Sequence, residues 1–232
     1  MNSRPHNGLV ATADALARPA SGTRSKDVTR EMVVAEALAI VDNEGLEALT
    51  MRRLATNLSV GVATVYATVA SKELLFQALA DAVIVEVPLE CTASSATDAL
   101  VEYFLAMHEM IRRHPVVAQL SAMRPVLTET AFQMQERILE LLRAGGLDAP
   151  SAASAYSTLG SYVLGFTLTG ISRLDDQRRE MVAQLPAQRF PQLHAAAPYF
   201  ATQSTDKSQF EEGLRAILKG LLPPEQVPRG AV

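Results

Sequence analysis

One cysteine, no tryptophan and an aromatic content of 5% leave this 232-residue chain with few of the usual chemical handles. The lone Cys91 excludes a disulfide within the chain and fits a reducing cytoplasm. No apolar run approaches the roughly 18 residues of a membrane span. Asp14 interrupts the only apolar stretch near the N-terminus, so no signal peptide is expected and the chain reads as soluble and cytoplasmic. GxSxG, Walker A and dinucleotide glycine patterns are absent, so neither catalysis nor a cofactor is expected. His108 and His114 lie on different faces of a helix, out of metal-binding register, and no metal site is expected. A net charge of −4 and a pI near 5.6 exclude a surface coated in basic charge, so any contact with nucleic acid must be local.

What is present is helical. Hydrophobic residues make up 48% of the chain, ample for a core. Residues 1–28 are rich in Ala, Ser, Thr, Pro and Arg without apolar period; they read as a flexible tail, or as an arm whose Arg18, Arg24 and Lys26 touch DNA. Thr29 caps a helix that buries Val33, Ala37, Ile40 and Val41 and stops at Gly45. Thr50 caps a second helix with Met51, Leu54, Ala55 and Leu58 inward, Gly61 turns the chain into a third over Val62–Thr68, and Ser71 opens a fourth that Pro88 ends or bends. Longer helices follow: one up to Pro115, one over Val116–Met123, one over residues 128–144 that stops at Gly145-Gly146, and one over Ser151–Leu174. The stretch Asp175–Lys207 reads as mostly irregular, and a last helix starts with the capping-box spacing of Ser208 and Glu211. The expected fold class is all-α, with a tail at 1–28, a first domain at 29–88 and a second at 89–232.

Between Thr50 and Lys72 there is no Asp or Glu, although the chain as a whole is acidic. Arg52, Arg53 and Lys72 mark the ends of this stretch, and two short helical patterns around a small turn have helix-turn-helix spacing. Leu54, Leu58, Val65 and Val69 are spaced for packing. Arg52 faces away from them, either as a solvated charge or as a bidentate partner for guanine, worth about 1–3 kcal/mol of discrimination. Val62, Ala63 and Thr64 open the third helix, offering apolar contact to thymine methyls and one hydroxyl. Tyr66 either reaches a phosphate or packs. Lys72 adds its charge to a helix N-terminus, which favours a phosphate.

The stretch Thr29–Val87 resembles the DNA-binding domain of the tetracycline-repressor (TetR) family. The likeness is carried by Ala37-Leu38, Glu44-Gly45, Leu49-Thr50-Met51-Arg52-Arg53-Leu54-Ala55, Thr64-Val65-Tyr66 and Lys72-Glu73-Leu74-Leu75. Ser59 stands where that family usually has glycine; Ala67 and Thr68 stand where it usually has an aromatic or polar residue followed by His or Tyr, positions that usually help contact DNA. His114-Pro115, Arg124-Pro125, Leu141 to Leu147, Tyr162 to Phe166 and Phe210-Glu211 with Gly213-Leu214 extend the resemblance through the C-terminal domain.

The resemblance implies a homodimer whose long helix near residues 155–173 and last helix form a four-helix interface, together with a ligand cavity among the central helices. Gly160, Gly165 and Gly170 thin the long apolar helix, which independently asks for more cover than one small domain offers. Candidate cavity residues are Tyr103, Met107, His108, Met123, Phe132, Gln135, Tyr162, Phe166 and Thr167, a set suited to a largely apolar molecule. His108 and Gln135 stand out as polar anchors. Where tetracycline repressors place two histidines around drug and magnesium, this chain has Pro88 and Leu120, so magnesium-tetracycline is not the expected ligand. The leading expectation is a ligand-responsive repressor that binds a near-palindromic double-stranded operator as a homodimer and is released by a small molecule. The alternative is a helical small-molecule binding protein, or a cryptic enzyme, that has lost DNA binding, which Ala67 and Thr68 favour.

Overall fold

The computed structural model describes residues 28–170, 180–197 and 207–224. Arg18, Arg24 and Lys26 of the expected tail, and residues 171–174 of the long helix, lie outside the described residues. Among the described residues every regular element is helical and none is a strand, as the apolar periodicity indicates. No helix among them is long and apolar enough to cross a membrane. Two compact units result: the first runs to Ile84 and includes Gln119–Phe132, and the second comprises Val85–Ala118 and Gln133 onward.

The first unit is built from α1 (Arg30–Glu44), a 3-10 turn at Leu46–Ala48, α2 (Met51–Asn57), α3 (Val62–Val69) and α4 (Lys72–Ile84). Each start is fixed chemically. The Thr29 hydroxyl accepts from Met32 N–H at 3.3 Å, that of Thr50 from Arg53 N–H at 3.0 Å, and that of Ser71 from Leu74 N–H at 3.1 Å. Gly45, at φ 85°, takes the chain out of α1. Beneath these caps Val33, Ala37, Leu49, Leu54, Val65, Leu75 and Leu79 are buried, the leucines each worth roughly 1.5–3 kcal/mol. Helix α4 stops at Ile84 because Pro88 can neither donate to the Ile84 carbonyl nor fit beside it in helical register.

The second unit holds α5 (Ala96–Arg113), the first residues of α6 (Pro115–Met123), most of α7 (Glu129–Ala144), α8 (Ala149–Gly170), α9 (Pro191–Ala196) and α10 (Lys207–Leu221). Helices α5, α8 and α10 pack on one another. Their core is Leu100, Phe104 and Ile111 with Leu159, Val163, Phe210, Leu214 and Leu218. Between α7 and α8, Gly146 (φ 96°) donates to Arg143 O at 3.0 Å and Leu147 to Leu142 O at 3.3 Å, the paired bonds of a Schellman stop.

Two expectations change. Pro191–Ala196 is helical within a stretch read as irregular, because proline at the first helical position costs no hydrogen bond. Ser208 is not a cap: α10 is already helical at Lys207, which puts Ser208 inside the first turn.

The turns that flank α3 carry side chains at positive φ. Ser59 (φ 58°) ends α2 through another Schellman pair, its N–H donating to Thr56 O at 3.1 Å while Val60 N–H donates to Ala55 O at 2.9 Å. Ala70 (φ 50°, ψ −42°) joins α3 to α4, with Ser71 N–H donating to Val69 O in a tight γ-type turn. Glycine suits both positions better. Ala70→Gly is expected to stabilise the protein by about 1 kcal/mol and Ser59→Gly by less, as read from urea unfolding midpoints at constant m.

Candidate functional site

The acid-free stretch folds into α2, its turn and α3. On α3, Val65 and Val69 are buried, so periodicity turns Val62, Ala63, Tyr66 and Ala67 outward. Tyr66 is 46% and Val62 38% exposed, so the core encloses neither side chain. Thr64 and Thr68 are half-buried, and the Thr68 hydroxyl donates to Thr64 O at 2.9 Å. What this helix presents is small, apolar and uncharged, with one phenol.

The cations differ from one another. Arg52 is exposed, and no ion pair among the described residues engages it. Arg53, the next residue, is held by Glu44 at 2.7 Å, which ties the start of α2 to the end of α1. Asn57 repeats the tie at the other end of α2, donating to Glu36 Oε1 at 2.7 Å. Lys72 is exposed at the first turn of α4, with its ammonium 5.3 Å from the centre of the Phe76 ring. Arg52 and Lys72 are therefore available to a polyanion at no cost in existing ion pairs, whereas Arg53 is partly neutralised.

Helix α4 also grips a second part of its own unit. The Gln77 carboxamide donates to Pro125 O at 3.3 Å and accepts from Leu127 N–H at 2.9 Å, clamping both sides of the α6–α7 turn. Arg124 reaches Glu73 at 3.6 Å. A small open cavity of about 70 Å³ lies between α4 and this turn, lined by Phe76, Gln77, Leu120 and Val126 among others. Nothing in the sequence marked Gln77, since a lone glutamine on a helix has no local signature.

In the second unit the structure gathers four of the expected cavity residues. His108 on α5 is 3% exposed, and its Nδ1 lies 2.9 Å from Thr167 Oγ1 on α8. Its ring stacks on Phe210 of α10, with centroids 4.3 Å apart and planes 11° from parallel, and meets Phe166 edge-on at 5.7 Å. Tyr162 stacks on the same Phe210 at 5.3 Å and donates its hydroxyl to Phe210 O at 3.0 Å. Phe210 thus joins the group, although its spacing on α10 marked it only as core.

The other candidates lie elsewhere. Tyr103 is buried in the same unit without a hydrogen-bond partner for its hydroxyl, and burial, reinforced by Cys91, pushes its pKa far up. Met107 and Gln135 are half-buried. Phe132 is 45% exposed and belongs to the first unit. The Met123 side chain lies outside the described ones. Among the described residues no three His, Cys, Asp or Glu side chains converge as metal ligands would.

Comparisons with known proteins place this geometry. Residues 94–223, more than half of the chain, match the family model described as Tetracyclin repressor-like, C-terminal domain. The chain is 31% identical over 223 residues to the HTH-type transcriptional repressor DrrR1 of Streptomyces coeruleorubidus, a match covering 88% of this chain and 80% of that protein. It is similar to the Streptomyces coelicolor TetR family protein ActR in complex with actinorhodin, at 33% identity and a TM-score of 0.73 over 84% of this chain and 96% of that one. It is also similar to BioQ with its natural double-stranded DNA operator, at 25% identity and a TM-score of 0.61 over 84% of this chain and 98% of that one.

His108 gives the core a measurable signature. Burial pushes its pKa below the ordinary imidazole value of 6.5, helped by Arg112 and opposed by Glu109. Between the folded and unfolded values the unfolded chain binds more protons, so this contribution to stability is complete above the unfolded pKa and is lost as pH falls through the window. Urea unfolding between pH 7 and pH 5 should therefore show a steeper loss for the wild type than for His108→Phe. The two slopes should differ by at most about 1.4 kcal/mol per pH unit.

Proposed function

The chain belongs to the tetracycline-repressor (TetR) family of transcriptional regulators, and on that premise we propose that it is a ligand-responsive repressor. It binds a near-palindromic operator as a homodimer and leaves it when a small molecule enters the helical domain. The observation that carries this reading is the exposed, acid-free face of α3, flanked by Arg52 and Lys72.

Each DNA-facing residue takes a role suited to its surroundings. Val62 and Ala63 at the start of α3 meet base edges through apolar contact, most usefully with thymine methyls, and Thr64 adds one hydrogen bond. Arg52 reads a guanine. Tyr66 and Lys72 bind phosphates, Lys72 with the help of the α4 N-terminus. Arg53 holds α2 against Glu44 and contributes to phosphate attraction only in part. Ala67 and Thr68 are too short to reach far, so specificity falls more heavily on Arg52, thymine methyls and DNA shape.

Residues 29–88 serve as the DNA-binding domain and 89–232 as the ligand-binding and dimerisation domain. Two features support a dimer through α8 and α10. A Cβ placed on Gly160, Gly165 or Gly220 would meet nothing within 4 Å, so these backbones are open to close approach. A second copy also supplies the second recognition helix that a two-half-site operator requires. The effector is largely apolar and is received by the aromatic group around His108 and Phe210; actinorhodin, found in complex with ActR, is the first compound to test. Effector binding releases DNA by favouring a second position of α4, an equilibrium driven only by differential affinity for the two states. The Gln77 clamp on residues 125–127 gives α4 a handle for that shift.

With some 6–10 phosphates contacted, operator affinity should fall by roughly 10³–10⁵ between 50 and 200 mM salt in gel-shift titrations, and a flat series would overturn DNA binding as the function. Arg52→Ala should weaken binding to the operator by about 1–3 kcal/mol and binding to random DNA much less. Equal losses on both would demote Arg52 to a phosphate contact.

A further inference from the structure

Two short contacts at Thr167 determine which hydrogen-bonding role His108 has left to offer. Thr167 Oγ1 lies 2.7 Å from Val163 O and 2.9 Å from His108 Nδ1. A threonine hydroxyl has one hydrogen. If that hydrogen pointed at Nδ1, the hydroxyl and carbonyl oxygens would face each other at 2.7 Å with no proton between them, two acceptors in repulsion. Both contacts are favourable together in one arrangement only. Thr167 donates to Val163 O, and His108 Nδ1–H donates to Thr167. In the neutral ring the proton on Nδ1 leaves Nε2 as a bare lone pair. Burial keeps the ring neutral near pH 7.

No hydrogen bond to Nε2 exists among the described residues, and Nε2 is not one of their fully enclosed unpaired atoms, so on a ring only 3% exposed this nitrogen keeps a small opening. An acceptor so placed is satisfied by a donor arriving from outside. Tyr162, which stacks on Phe210 as His108 does, is itself only half-buried. The group is a stack of near-parallel rings, with His108 on Phe210 at 11° and Tyr162 on Phe210 at 19°, and a flat ring is the shape that extends such a stack.

We infer that His108 is the hydrogen-bond acceptor that selects the effector, through Nε2, for a flat apolar ring carrying a hydroxyl or N–H donor. This inference rests on the proposal that the helical domain receives an effector, and it adds which polar group that effector must carry. A ring bearing only acceptors (an ether, a ketone, a carboxylate) would set lone pair against lone pair at Nε2 and be rejected. Thr167 is a positioning residue in this scheme: it holds the proton on Nδ1 and need not touch the ligand.

The test uses the full-length protein at pH 7.5 and isothermal titration with β-naphthol and its methyl ether, which differ in the donor. Wild-type protein should bind β-naphthol at least about fivefold more tightly than the ether. His108→Phe keeps a ring against Phe210, removes the lone pair, and should bind the two probes equally; it also controls for their difference in size. Thr167→Val, which frees the proton to move to Nε2, should narrow the preference independently of the first variant. Equal binding of the two probes to the wild type, a preference that survives in both variants, or no binding of either probe overturns the inference. A gel shift of the upstream DNA with the same preparations separates the two levels. A shift with equal probe binding removes only the role of His108, whereas no shift removes the repressor reading itself.

Discussion

Burial of Leu54 beneath α2 and of Val65 and Val69 beneath α3 is the interaction on which the exposed, acid-free face of α3 depends. Helices of seven and eight residues do not persist alone in water, so they owe their existence to this packing and to the Thr50 cap. Because the valines point inward, Val62, Ala63, Tyr66 and Ala67 must point outward. That exposed face is therefore the remainder left by the core. Glu36 and Glu44 lock α2 to α1 from outside the acid-free stretch, so the acids missing from that stretch reappear as its fasteners.

The second unit obeys a constraint of a different kind. Apolar packing of α5, α8 and α10 would tolerate many side chains at position 108, and a leucine would fill the space without complication. A histidine there brings two polar atoms into the core, of which Thr167 satisfies one. Thr167 meets that need while its own hydrogen stays on Val163 O, and the orientation of the imidazole is thereby fixed. Stacking on Phe210 adds a second restraint on the ring plane. The position and the protonation of the ring are thus set together.

Local chemistry was legible in the sequence and contacts between distant residues were not. Thr29, Thr50, Gly45, Gly61 and Ser71 announce helix ends by residue type alone, and each occupies the end it announces. The same reasoning failed at Ser208, where suitable cap spacing lies inside a helix that had already begun, and at Pro191, where a residue that breaks helices begins one. That Arg53 is partly neutralised depends on how α1 crosses α2, which no spacing rule gives. Phe210 reads as core from its own helix, and only the meeting of α5, α8 and α10 makes it the floor under His108. Gln77 is legible only once the α6–α7 turn lies against α4.

The Glu44–Arg53 pair has one further consequence on the proposed reading. A repressor spends its search on the wrong DNA, where attraction comes almost entirely from phosphate charge and every free cation lengthens each unproductive stop. Glu44 sits on α1, outside the reading surface, and offsets one of the cations that would otherwise deepen that trap. Base readout by α3 is left untouched. An acid that never meets DNA thus sets the ratio between residence on the operator and residence elsewhere, a search-speed control lodged in a helix that looks purely architectural.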